Sequence, residues 1–170
     1  MSSVPTPTGR AFRFGDNIDT DQLAPGPLLK LPPQQLAAHC LQAIDPTFVS
    51  TVRPGDVLIA GSNFGMGSSR EQAVVSLKIL GIQAVLARSF ARIFWRNAIN
   101  LGVAALIFPW TEEIAAGDEV EVDLAAGRVT DLTRGGRWQV EPLPPQVLDM
   151  LAHGGLIPYL RRRQSGASSA

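Results

Sequence analysis

The stretch Gly61-Ser62-Asn63-Phe64-Gly65-Met66-Gly67-Ser68-Ser69-Arg70-Glu71 restricts the folds open to this chain more than any other. A short apolar run, Val57-Leu58-Ile59-Ala60, leads into it, and a helical pattern starting near Ser69 and lasting to about Leu80 leads out. A buried strand that passes through a glycine turn into a helix is the opening of a βαβ unit. The pattern then recurs. Residues 82–87 read as a second strand, Ser89 as the cap of a helix reaching about Asn100, Gly102 as its stop, and residues 103–108 as a third strand. Short connections in that order imply right-handed crossovers and a parallel sheet.

The flanks read differently. Residues 9–15 fit a strand, with Arg10 and Arg13 on one side and Phe12 and Phe14 on the other. Asp16, Asp19 and Asp21 follow within six positions, but the Gly and distal Glu of a calcium-binding EF-hand loop do not accompany them. Four prolines and a glycine in residues 24–33 forbid regular structure, so this segment is expected as a loop. From Gln34 to Ile44, apolar residues at 36, 37, 40, 41 and 44 predict one helix with a buried stripe that includes Cys40. After Pro109 strict alternation over residues 119–124, a turn with Gly127, and further short runs at 129–132 and 138–140 predict antiparallel hairpins. A last helix is expected over residues 146–152. The coarse result is one α/β domain over residues 9–163, a βαβ core with a β-rich extension. Residues 1–8 and 164–170 are expected to be disordered tails.

Composition narrows the function. Lys+Arg 15 against Asp+Glu 15 leaves no net field to favour nucleic acid or an anionic membrane. No run of roughly 18 apolar residues could span a bilayer and the N-terminus lacks an apolar leader, so cytoplasmic residence is the expectation. The one cysteine, Cys40, excludes an intrachain disulfide and any cysteine-ligated metal cluster built by this chain alone.

The glycine turn is where chemistry is expected. The first N–H groups of a helix are unpaired, its dipole adds partial positive charge, and glycines let a ligand approach. Ser68 and Ser69 can donate to carboxylate oxygens, and Arg70 can grip one in a bidentate fork. Four readings stand side by side. A phosphate-binding P-loop needs a Lys where Gly67 stands. A dinucleotide fingerprint needs a third glycine where Arg70 stands. A serine nucleophile needs a base, and the only histidines are His39 and His153. A capped turn without chemistry needs no Ser-Ser-Arg.

The segment from Gly61 to Ala73 resembles the signature of the aconitase superfamily's swivelling domain, in particular that of 3-isopropylmalate dehydratase small subunits. Asn17-Ile-Asp-Thr-Asp-Gln22, Arg88-Ser-Phe-Ala-Arg-Ile-Phe94 with Arg96-Asn97, and Gly154-Gly-Leu-Ile-Pro-Tyr-Leu-Arg161 agree in the same order. The resemblance spans about Phe12 to Arg161. It implies a swivelling β/β/α domain of three layers with a mixed sheet. It also implies a hydro-lyase that dehydrates and rehydrates a 2-hydroxy dicarboxylic acid, with a separate large subunit carrying a four-iron four-sulfur cluster. The small subunit alone would then be inactive. Ser68 matches the serine that takes a proton from carbon, and Ser69 and Arg70 match carboxylate-binding residues. Thr20 and Asp21 match a Thr-Asp pair at the base of the site. Gln72 stands where many relatives have His, and Met66 where many have Cys. In the loop, Pro27-Leu28-Leu29-Lys30 replaces the relatives' Tyr-Leu-Arg, with Lys30 as a candidate substrate-binding charge and Leu28 and Leu29 as candidate contacts for an alkyl group. That departure leaves open 3-isopropylmalate, dimethylmalate or another alkyl-malate, and homoaconitate as substrates, and a non-catalytic anion-binding domain as the alternative from another class.

Overall fold

The computed structural model describes residues 4–168. Its elements in chain order are β1 (Thr8–Arg13), α1 (Thr20–Leu23), a 3-10 turn (Gly26–Leu28), α2 (Pro33–Ala37), α3 (Phe48–Thr51), β2 (Val57–Ala60) and α4 (Glu71–Ile79). There follow β3 (Ala84–Ala87), α5 (Arg92–Asn100), β4 (Ala104–Ile107), a 3-10 turn (Thr111–Glu113), β5 (Glu119–Asp123), β6 (Arg128–Asp131), β7 (Arg137–Gln139), α6 (Pro145–Ala152) and α7 (Leu156–Ser168).

The seven strands form one mixed sheet in the order β4-β3-β2-β1-β5-β6-β7. Strands β1 to β4 are parallel, with Ala11 opposite Val57, Val57 opposite Ala84, and Ala84 opposite Ala104. From β1 onward the pairing turns antiparallel, Gly9 facing Val120 and Val122 facing Val129. All four residues of β2 and of β3 are buried, the signature of a parallel strand covered on both faces. Alternate residues of β2 enter two different cores. Leu58 and Ala60 join Val74 and Leu77 of α4, Phe94 and Ala98 of α5, and Leu36, Leu41 and Phe48 from the N-terminal segments. Val57 and Ile59 join Val120, Val122 and Val129 of the antiparallel half, with Leu151 and Tyr159 of the C-terminal helices. The sheet therefore curls so that its antiparallel half covers the second face of its parallel half. Two β layers and one helical layer result, the β/β/α arrangement expected.

Several local expectations need correction. Arg10 does not oppose Phe12: both lie on one face, with the guanidinium carbon 5.6 Å from the ring centroid, because positions two apart share a side of a strand. The predicted helix over residues 34–44 stops at Ala37. Leu41 turns to φ 58° and its N–H donates to Gln22 O at 2.9 Å, which removes it from any helical ladder. Cys40 and Leu41 are nonetheless fully buried, whereas Ile44 is 41% exposed. Ser89 does not cap α5; the N-cap is Ala91, and Ser89 Oγ accepts from Asn63 N–H instead. At the C-terminus α7 continues through Ser168, so residues 164–168, expected as tail, are helical, with Ser165 Oγ donating to Arg161 O at 3.0 Å. At the other end, Pro7 O accepts from Val122 N–H, and β1 begins at Thr8. Residues 1–3 and 169–170 of the expected tails lie outside the described residues.

Candidate active site

The glycine turn sits at the C-terminal ends of the parallel strands, clamped on both sides. On one side Asn17 N–H donates to Ser62 O, Gly65 N–H to Ile18 O and Thr20 N–H to Met66 O. On the other, Phe64 N–H donates to Ser89 O and Ala91 N–H to Phe64 O. The turn thus extends the parallel ladder beyond the strands proper, with the 16–20 and 88–91 segments as its neighbours. Gly65 takes φ +83°, and a Cβ there would collide with the ring of Phe94. Only glycine satisfies both demands. That contact presses the first turns of α5 against the turn and leaves a cavity of about 290 Å³ between them.

Thr20, Ser68, Ser69 and Arg70 line this cavity from one side, and Arg92, Ile93 and Asn97 of α5 from the other. Helix α4 starts at Glu71, two residues later than expected, and Arg70 is its N-cap without a side-chain cap bond. Neither Ser68 nor Ser69 therefore caps the helix. Both hydroxyls make no hydrogen bond with the described residues and stay available to a ligand. Neither histidine reaches them. His39 Nδ1 lies 2.7 Å from Gln42 Oε1, and His153 Nδ1 lies 2.7 Å from Asp149 O.

Arg70 is held from within the chain. Its Nη1 donates to Asp21 Oδ1 at 2.9 Å and to Ala24 O at 3.0 Å. Asp21 Oδ1 also accepts from Gly26 N–H at 2.8 Å. The Arg70 hydrogen bond, followed by the Gly26 N–H, holds the Asp21 carboxyl below its ordinary 3.8. The Thr-Asp pair thus divides its work: Thr20 faces the cavity, and Asp21 fixes Arg70 to the start of the 24–33 loop. The other two carboxylates of the acidic stretch are spent locally. Asp16 accepts from Ser62 N–H, and Asp19 forms a reciprocal capping box with Gln22 on α1.

Lys30 is exposed and does not line the cavity, so the structure does not bring it together with the other five candidates. Leu28 and Leu29 pack against the core rather than facing the cavity. The α5 wall is what the sequence reading missed. Arg92 lies at the first position of a helix whose first turn holds no acid, where a cation is disfavoured by roughly 0.3–1 kcal/mol. That misplacement is legible in the sequence once the helix is known to start at Arg92 rather than at Ser89.

The residues present do not fit a metal cluster. Cys40 is fully buried, and burial pushes its thiol up to about 12, far from the thiolate a metal requires. No group of three or more His, Cys, Asp or Glu converges among the described residues.

Comparison with known proteins adds a family context. Residues 44–110 match the aconitase C-terminal domain. The chain is 49% identical to 3-isopropylmalate dehydratase small subunit 2 of Archaeoglobus fulgidus over 91% of this chain and 94% of that one. It is 48% identical to the methanogen homoaconitase small subunit of Methanocaldococcus jannaschii, covering 92% of each. It is also 48% identical to the 2,3-dimethylmalate dehydratase small subunit of Eubacterium barkeri, over 89% and 94%. A crystal structure of 3-isopropylmalate dehydratase from Methanocaldococcus jannaschii superposes with a TM-score of 0.91 at 46% identity, covering 97% of this chain and 99% of that one. Relatives named for three different diacids are thus equally near, and overall identity does not choose among them.

Proposed function

This chain belongs to the 3-isopropylmalate dehydratase small-subunit family, and on that premise we propose that it is the small subunit of a hydro-lyase for a 2-hydroxy dicarboxylic acid. The proposed substrate is 3-isopropylmalate, and the proposed setting is leucine biosynthesis in the cytoplasm. The observation that carries the reading is the 290 Å³ cavity, in which two unbonded serine hydroxyls stand beside guanidinium groups with no carboxylate in the lining.

In this proposal Ser68 Oγ, as alkoxide, takes the proton from carbon, and hydroxide leaves the neighbouring carbon. A double bond forms between the two carbons, and addition of water in the reverse sense gives the isomer. A serine hydroxyl is a poor base in water. Here the unpaired first N–H groups of α4 and the nearby guanidinium of Arg70 favour its anion. The Ser69 hydroxyl and the part of Arg70 left free by Asp21 hold a substrate carboxylate. Asp21 acts by positioning Arg70, and Thr20 forms the floor. Because this chain's residues cannot hold a cluster, the four-iron four-sulfur cluster is assigned to a large-subunit partner. When bound, that cluster supplies Lewis acidity at the substrate hydroxyl.

A second reading is favoured by the loop and by the near-equal identities: dimethylmalate or homoaconitate as the diacid. One experiment separates them. The chain is combined with a cluster-bearing large subunit and assayed side by side on 3-isopropylmalate, 2,3-dimethylmalate and homoaconitate. The highest kcat/KM is expected on 3-isopropylmalate. Absence of a complex together with absence of hydratase activity on all three leaves only a non-catalytic anion-binding domain.

A further inference from the structure

The cavity wall opposite Ser68 carries a guanidinium that the reading above leaves without a task. Arg92 opens α5 and lines the cavity as an exposed residue, and its guanidinium makes no ion pair or hydrogen bond with the described residues. Two local forces oppose a cation there. The aligned amides of α5 put partial positive charge at that end, and no acidic residue in its first turn offsets it. Arg96 stands four residues on, a like-charge spacing that further destabilises a helix. A breach of local rules with no compensation inside the chain is a mark of a functional position.

The charge balance of the cavity identifies what is missing. Its lining holds two arginines and no carboxylate. Arg70 is partly neutralised by Asp21 and has committed Nη1 to Asp21 and Ala24. A dicarboxylate brings two negative charges, and the uncommitted part of Arg70 accounts for one of them. We infer that Arg92 binds the second carboxylate of a small diacid held between the glycine turn and α5. The diacid then bridges two elements that face each other across the cavity. This inference rests on the proposed function and adds a binding residue to it.

The test uses the assembled two-subunit enzyme. Calorimetry measures binding of the deoxy analogue of the diacid that the wild-type pair turns over, and of the two monoacids left by removing either carboxylate. For 3-isopropylmalate these are isopropylsuccinate, 4-methylpentanoate and 2,3-dimethylbutanoate. Arg92→Gln is expected to reduce the preference for the diacid over one monoacid by roughly 10- to 100-fold while leaving its preference over the other unchanged. Arg92→Lys, which keeps the charge without the fork, recovers part of the loss. Unchanged preference over both monoacids overturns the inference alone. So does a loss confined to the affinity between the subunits, measured by sedimentation, because Arg92 would then be a docking contact. A wild-type pair that binds no hydroxy diacid sinks the proposed function and this inference together.

Discussion

Two cavities lie at opposite ends of the parallel strands, and the larger one is the less promising. It measures about 460 Å³, lies where the chain enters β3 and β4, and is lined in part by Lys78, Gly81, Gly102, His153 and Gly154. Its cation and its histidine already have partners: Lys78 Nζ donates to Gly154 O at 3.2 Å, and His153 is engaged by Asp149. The smaller cavity, at the C-terminal ends of the strands, keeps two serine hydroxyls and Arg92 uncommitted. Volume alone ranks the two in the opposite order from the proposed function. Unspent charge ranks the smaller one first, in keeping with the general placement of α/β ligand sites outside the carboxyl ends of the strands.

The sharpest way to break this contrast is to remove one polar group from each cavity. In the assembled enzyme, Ser68→Ala is expected to lower kcat by at least ~100-fold with circular dichroism and subunit association unchanged. Lys78→Ala should leave kcat within about twofold. Comparable losses from both would erase the distinction between the two ends.

Backbone demands give a second, smaller contrast. Gly65 and Gly154 both take positive φ, but a Cβ on Gly65 meets Phe94, whereas one on Gly154 meets nothing within 4 Å. Gly154→Ala should cost about 1 kcal/mol from backbone strain alone, and Gly65→Ala about 2–3 kcal/mol, because Phe94 must also shift. Chemical denaturation of the two variants reads this difference directly. Equal destabilisation would mean that the α5 contact does not shape the site.

The smallest expected effect is a titration. The Asp21 carboxyl, held down by Arg70 and Gly26 N–H, should titrate by NMR with a midpoint below 3.8, and Arg70→Ala should move it upward. The sign for stability follows from linkage. A carboxyl whose folded pKa is lowered stabilises the fold above its unfolded pKa, near 3.8, and that contribution is lost as pH falls through the lower folded value. The clamp on Arg70 is therefore intact at neutral pH and is lost only below the ordinary 3.8. A midpoint unmoved by Arg70→Ala would remove Arg70 as the cause.

What was legible in the chain follows from the range over which each signal acts. Val57–Ala60 and the alternation of Glu119–Asp123 declare their burial within a few residues, so the strands were readable and their parallel or antiparallel sense followed. The stop of α2 was not, because Leu41 leaves the helix to reach Gln22 O, a partner nineteen positions earlier. Ser89 looks like a cap locally, yet its hydroxyl goes to Asn63 in the neighbouring turn. The residues of the site divide the same way. Ser68, Ser69 and Arg70 adjoin one another in sequence and were visible, and Thr20 was reached only through a family resemblance. Arg92 enters the cavity because Phe94 packs on Gly65, a contact across 29 positions that no local pattern encodes.

The bond from Arg70 to Asp21 and Ala24 has a further consequence for how such an enzyme can change its diet. Residues 24–33 begin at the atoms that hold Arg70, the proposed carboxylate-binding arginine, in place. The backbone path of this loop and the placement of Arg70 are therefore not separable modules. A transplanted loop carries a new backbone path past Arg70 as well as new side chains, so its effects will not add to those of changes at Arg70. A new preference in this scaffold is therefore expected to need paired adjustment of loop and arginine rather than exchange of the loop alone.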